Sequence, residues 1–235
     1  MKPCAFSNQT LIGHSKGAIN KVEKIFNNQY FIVASKRLSK VYDIDWKQLK
    51  KLTIFLTAFH DMGKAAEYYQ RQFDDECKPI GKTTTFIYHE IGGSVFLFKN
   101  NWNNEIIKFW SVLTIMNHLN AIRGIHTISG VNLRKEMLYL KKYGEALINE
   151  FDRDMEGIID GKLNVNDYEM RDFQLMVEWL KAFSMKKNIA KGYIFLLAPL
   201  IVGDNLDSNE QRSVDEGSKA KSRFIKSLEE MENES

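Results

Sequence analysis

Proline and cysteine are scarce in this 235-residue chain, with three of the first and two of the second. Cys4 and Cys77 lack the spacing of a metal site. No disulfide framework is expected of them, and a reducing cytoplasm is the default setting. Long apolar runs are missing too. The longest, Tyr193 to Val202, carries Pro199 and falls short of the ~20 residues that cross a bilayer. The opening residues MKPCAFSNQT lack the apolar core of a signal peptide. A soluble, cytoplasmic protein with no membrane partner is therefore expected. Charge of one sign is barely in excess, at +3. That permits a local patch for a polyanion without arguing for one. Low-complexity segments, internal repeats and a convincing strand pattern are all missing. So is a G-x-x-x-x-G-K-[ST] loop, and nothing resembles a serine or cysteine nucleophile site. No helicase motor is expected in this chain.

What is present is ordinary globular material, 44% apolar and 27% charged, enough for one domain with a sizeable core. Apolar residues recur at three- and four-residue spacing through Ser15–Tyr42, with Ala18, Val22, Ile25 and Phe26, then Phe31, Ala34, Leu38 and Val41. Asp45 is placed to cap a helix from Trp46 to about Asp61, which Gly63 ends. A short helix over Ala65–Phe73 and a charged loop from Asp74 to Thr85 follow. Helical patterns resume at His89–Lys99, Asn104–Asn120, Leu133–Asp154 and Asp167–Ser184. Ile189–Asp204 reads as a buried central helix that Asp204 closes. Residues 124–131 suit an extended turn. Amphipathic helices on short loops predict an all-α, single-domain bundle over residues 1–217, with a polar helix or tail at 218–235.

Five histidines occur: His14, His60, His89, His118 and His126. Imidazole and carboxylate together suit divalent transition metals, and carboxylate oxygens also suit Mg or Mn. Taken singly, most candidates have a structural explanation. His14 could cap a helix, His89 could start one, His118 could be a satisfied core histidine, and Asp204 could terminate a helix. The adjacent pair His60-Asp61 is harder to explain so, because two ionisable groups ending an apolar helix need partners when buried. Neighbours on a helix diverge by roughly 100°, yet a pair at a helix end can still reach one ion, or the carboxylate can bridge two. Two ions ~3.5–4 Å apart would activate water and steady the leaving oxygen of a phosphodiester.

The ordered series His14, His60-Asp61, His89, His118 and Asp204 resembles the HD metal-dependent phosphohydrolase superfamily. His60-Asp61-Met62-Gly63-Lys64 is similar to its HD-x-G-K motif, and Leu11-Ile12-Gly13-His14 to its N-terminal histidine element. Asp204-Asn205-Leu206-Asp207-Ser208 is similar to the aspartate-to-serine element of the CRISPR-associated HD nucleases of type I systems. The resemblance spans residues 11 to 209 and implies an HD-type helical bundle. It implies that His14, His60, Asp61 and Asp204 hold one divalent ion (Mg, Mn or another transition metal). Asp61 would bridge to a second ion held by His89 and His118. It further implies that Lys64 neutralises a phosphate oxygen and that Ser208 hydrogen-bonds the substrate backbone. That family often has two consecutive histidines at the fourth position. Leu119 follows His118 here, so the second ion would be held more weakly, or completed by water, Asn117 or His126.

The function so implied is a metal-dependent nuclease cutting single-stranded DNA, with RNA as a further substrate, in CRISPR interference. A separate helicase subunit and a guide-RNA surveillance complex are the implied partners. Tyr68, Tyr69, Arg71, Lys78 and Lys82 flank the HD motif and the following loop. Arg123 lies near His126, and Lys181, Lys186, Lys187 and Lys191 form a basic run. Together they are candidates for tracking a strand. Two other readings use the same residues: an HD-type nucleotide or cyclic-nucleotide phosphohydrolase with a closed pocket, and a non-enzymatic subunit whose site has decayed.

Overall fold

The computed structural model describes residues 2–119, 130–151, 158–185 and 189–215. Nine α-helices are seen among the described residues: α1 (Leu11–Ile25), α2 (Asn28–Leu38), α3 (Trp46–Phe59), α4 (Glu67–Gln70), α5 (His89–Lys99), α6 (Glu105–Asn117), α7 (Lys141–Phe151), α8 (Met170–Ser184) and α9 (Ile194–Asp215). The fold is all-α and single-domain, with one small addition. Cys4–Phe6 (β1) and Gln9–Thr10 (β2) pair as a two-stranded antiparallel ribbon, too short to leave an alternating pattern in the sequence. His126, Arg123, Lys186, Lys187 and the whole 218–235 segment lie outside the described residues.

Caps chosen by the sequence start several helices. The Thr10 hydroxyl accepts from Gly13 N at 3.1 Å, and the Asp45 carboxylate accepts from Lys47 N at 2.8 Å. Asn104 accepts from the amides of Ile106 and Ile107. These bonds satisfy amides that have no partner inside their own helix. α9 contains Pro199, which has no N–H for the carbonyl four residues earlier. That carbonyl belongs to Phe195, and the Tyr30 hydroxyl donates to it at 2.9 Å. The helix thus continues past its proline.

Several boundaries differ from expectation. α3 ends at Phe59 with His60 as its cap, and Gly63 sits inside a 3₁₀ turn, Met62–Ala65. The Leu133–Asp154 pattern divides into a 3₁₀ turn, Lys135–Leu138, and α7. Asp204 does not close a helix, because α9 runs on to Asp215. Phe31, Phe59, Phe96, Phe109 and Trp110 are fully buried in the shared core, each side chain contributing about 2–3 kcal/mol of burial. α1, α3 and α9 pack together, as do α5 and α6.

The expectation for the cysteines is overturned. Cys4 and Cys77 form a disulfide with their Cα atoms 5.4 Å apart, joining the N-terminal ribbon to the loop after α4. Seventy-three positions separate them in sequence, so no spacing signals the pair; tertiary packing brings them together. The Gln70 side chain fixes the same junction. Its Oε1 accepts from Cys4 N at 2.7 Å, and its Nε2 donates to the carbonyls of Cys4 and Lys64.

Candidate metal centre

The six residues named by the HD pattern come from five places in the chain and meet. His14 lies in the first turn of α1, and His60 caps the end of α3. Asp61 opens the 3₁₀ turn, His89 begins α5, His118 caps α6, and Asp204 lies within α9. All but Asp204 are almost completely buried.

Three of the histidines use one local device. The ring Nδ1 of His60 lies 2.8 Å from the carbonyl of Thr57, that of His89 2.6 Å from Phe86, and that of His118 2.6 Å from Ile115. Each partner is three residues earlier. A carbonyl can only accept, so Nδ1 carries the proton and the Nε2 lone pair is left free. His14 turns its Nδ1 to a carboxylate instead, 2.7 Å from Asp207 Oδ2, which leaves Nε2 facing the other donors. Carboxylate and carbonyl supports of this kind orient metal-binding imidazoles and raise their basicity.

The Nε2 atoms fall into two groups about Asp61. His14 Nε2 lies 3.2 Å and His60 Nε2 3.4 Å from Asp61 Oδ2, and Asp204 Oδ1 is 3.1 and 3.5 Å from the same two nitrogens. Asp61 Oδ1 faces the other way, 2.7 Å from His89 Nε2 and 3.5 Å from His118 Nε2. His14, His60, Asp61 and Asp204 form one set of four donors within 4.8 Å of one another; Asp61, His89 and His118 form a set of three. Lys64 Nζ stands 2.6 Å from Asp61 Oδ2, between the rings of Phe6 at 4.0 Å and Phe86 at 5.0 Å.

Backbone approach makes this convergence possible. A methyl group at Gly63 would collide with the His89 carbonyl and lie 2.9 Å from Gly93 N. Only a bare Cα lets the turn carrying Asp61 rest against the first turn of α5. Tyr88 takes a left-handed φ of 68° just before His89, a conformation that costs a non-glycine residue about 1–2 kcal/mol. Gly17 on α1 performs the corresponding service for α9. A methyl there would run into the Asp207 carboxylate.

Electrostatics follow from the crowding. Burial alone would raise the pKa of Asp61, but Lys64, His60 and His89 outweigh it and hold the carboxyl well below its usual range. Asp204 is held low against burial by His14 and His60. Burial opposes charge on His14, yet hydrogen bonds to Asp204, Asp207 and Asp61 push it up to about 10. Burial wins at His89 and lowers its pKa. His118 is raised against burial by Asp61.

The donor set fits divalent metal ions. Four imidazole Nε2 atoms surround two carboxylates in a buried site, and Asp61 Oδ2, though 2.6 Å from Lys64 Nζ, makes no hydrogen bond of good geometry. A bound cation would satisfy that oxygen. Asp61, His89, His118 and Asp204 of the cage open onto a cleft of about 390 Å³ lined also by Phe6, Phe86, Ile87, Leu119, Asn205 and Ser208. Ser208 lines the cleft, and its hydroxyl is 3.3 Å from Asp204 Oδ1.

Asp207, Phe6 and Phe86 were not singled out from the sequence. Asp207 had a signal, since it stands three residues after Asp204 and shares its helix face. The two phenylalanines had none. The aromatic platforms expected at Tyr68 and Tyr69 are not at the cleft. Tyr69 is buried with its hydroxyl donating to the Ile87 carbonyl, and the Tyr68 ring faces Arg134. Arg71 pairs with Glu67, and Lys78 with Glu76.

The Cas3 HD domain family matches residues 7–127, a span holding His14, His60, Asp61, His89 and His118 and stopping short of Asp204. The "CRISPR-associated endonuclease Cas3-HD" of Saccharolobus solfataricus is 35% identical over 97% of this chain and 96% of its own length. The CRISPR-associated Cas3 HD domain protein of Methanocaldococcus jannaschii is similar in fold, with a TM-score of 0.55 at 23% identity, over 85% of this chain and 99% of that one. With the family match covering half the chain and the archaeal relative nearly all of it, this chain belongs to the Cas3 HD domain family.

Proposed function

We propose that this chain is a divalent-metal-dependent nuclease that cuts single-stranded DNA in CRISPR interference. It would work with a helicase carried by another subunit and a guide-RNA surveillance complex. One observation carries the chemistry: the two oxygens of Asp61 are divided between two sets of donor atoms. His14, His60, Asp61 and Asp204 would hold one ion. His89, His118 and the other Asp61 oxygen would hold a second. Bound there, divalent ions lower the pKa of water and stabilise charge on phosphoryl oxygens.

The chain's own residues do the rest. Lys64, desolvated under Phe6 and Phe86, places a fixed positive charge at the cleft floor, where it neutralises a phosphate oxygen as charge builds in the transition state. Ser208 and Asn205 on α9 line the cleft with polar groups suited to the sugar-phosphate backbone. The cleft favours a strand over a closed-pocket nucleotide, because Ile87 and Leu119 at its lining are 53% and 49% exposed. The decayed-site reading finds no support, since all seven donor atoms are in place.

The test is cleavage of an end-labelled single strand with Mn or Mg, comparing the wild type with Asp61→Ala. Removing the shared carboxylate takes a donor from both sets, and a loss of at least about 10³-fold is expected. Cleavage undiminished in the variant would refute the assignment. Phosphate release from mononucleotides without strand cleavage would move it to the nucleotide phosphohydrolases.

A further inference from the structure

The cleft is chemically divided. α9 supplies Asp204, Asn205, Ser208 and Asn209, while the segment before α5 and the end of α6 supply Phe86, Ile87 and Leu119. Eight large apolar side chains are exposed among the described residues, and Ile87 and Leu119 are the two of them that line this cleft. A single exposed aliphatic residue on a surface needs no explanation. These two are tied to the chemistry. Ile87 stands two residues before His89, and Leu119 directly follows His118. The Nε2 atoms of those histidines are 3.3 Å apart. The apolar wall therefore borders the three-donor set. It is also held in place. The Ile87 carbonyl accepts from the buried Tyr69 hydroxyl, and Phe86 is stacked on Phe73.

Resting on the nuclease reading above, we propose that Ile87 and Leu119, backed by Phe86, form the seat for one unstacked nucleobase beside the scissile phosphate. The nuclease chemistry brings an occupant of this kind to the wall. A phosphodiester over Asp61 and Lys64 brings a sugar and a base with it, and the base must leave water or stay in it. The polar α9 side suits the backbone, and the apolar side offers exposed hydrocarbon that a base's π-face would cover. A cleft of about 390 Å³ is at the small end of ligand pockets, room for one nucleotide. Bases paired in a duplex are stacked on their neighbours and cannot enter without being extruded. The seat would thus give preference for single strands with little preference for base identity.

The experiment compares a thymidine strand with the same strand built of abasic tetrahydrofuran residues, using wild type and the double variant Ile87→Ala/Leu119→Ala in saturating Mn. The wild type should cleave the thymidine strand with a kcat/KM about tenfold higher. The double variant should cleave both strands at the wild type's abasic rate. Its unchanged abasic rate shows that the metal cage is intact, and Leu119→Phe should keep the preference. Equal wild-type rates on the two strands would overturn the seat while leaving the nuclease reading untouched. So would a double variant that keeps the wild-type preference. Cleavage of neither strand by the wild type would overturn the nuclease reading and the seat with it.

Discussion

Replacing Asp207 should weaken metal binding without removing a metal donor. Its Oδ2 accepts from His14 Nδ1 at 2.7 Å and from Gln9 Nε2 at 3.0 Å, and the residue is 3% exposed. In Asp207→Ala both donors lose their partner in a dry site, and the Gln9 Oε1 already lacks one. A buried hydrogen bond to a charged group is worth about 1.5–3 kcal/mol, and loss of such a support weakens metal affinity about 10–100-fold. The two figures agree. The concentration of Mn giving half-maximal strand cleavage should therefore rise about 10–100-fold in Asp207→Ala, with the rate at saturating Mn close to wild type. Asp207→Asn keeps an acceptor for the ring and loses only the charge, so it should fall between.

The pH dependence gives a second readout. His14 in the metal-free protein is pushed up to about 10 by three carboxylates acting against burial. Below that pH the ring carries a proton that an incoming cation must displace, so affinity rises with pH. Without the Asp207 charge His14 holds its proton less tightly, and the rise should level off at a lower pH. Unchanged half-saturation with a lowered maximal rate would refute the reasoning, because it would place Asp207 in the reaction itself.

Reduction of the Cys4–Cys77 disulfide should cost about 4 kcal/mol in the chain-entropy model, given a loop of this length. A lower urea midpoint in reductant, with Cys4→Ser/Cys77→Ser insensitive to it, checks this. Two reactive thiols in the denatured, unreduced protein would sink it. The donor set should also order the metals. Four imidazoles are counted among its ligand residues, and imidazole suits transition ions while Mg prefers oxygen. Mn or Co should support cleavage at concentrations at least about tenfold below Mg, and activity highest at the lowest concentrations with Mg would contradict the assignment.

The helices were legible because most carry their own period and several their own cap. Asp45 and the apolar stripe from Leu49 to Phe59 specify α3 locally. The candidate site was legible as residue types in order, from His14 to Asp204, since ligand chemistry limits which side chains serve. What stayed hidden depends on packing between distant segments. Cys4 meets Cys77, Phe6 covers Lys64, and Asp207 reaches His14 only once α9 lies on α1. The end of α9 was misread for a related reason. Asp204 followed by Asn205 looks like a terminator, but inside a helix its carboxylate is engaged by His14 and His60, and that engagement is invisible until the fold exists.

The adjacency of His60 and Asp61 posed the sharpest geometric problem, because successive side chains on a helix diverge by roughly 100°. The chain solves it by ending α3 between them. His60 keeps helical angles of φ −56° and ψ −36°, which lets its Nδ1 reach back to Thr57. Asp61 takes φ −99° and ψ 14°, the bridge region where turns and many active-site residues sit. Its carboxylate is thereby freed from the helix face and can stand between two sets of imidazoles. The 3₁₀ turn that follows needs Gly63 to lie against α5, and that contact brings His89 to Asp61 Oδ1. Lys64, one residue on, is carried by the same turn to Oδ2. The order His-Asp-x-Gly-Lys is thus a description of one backbone manoeuvre: a ligand that stays on the helix, a ligand released from it, a close approach, and a charge. A substitution that keeps every donor but restores a helix through residue 61, or adds a side chain at 63, would separate the two halves of the cage as surely as removing Asp61.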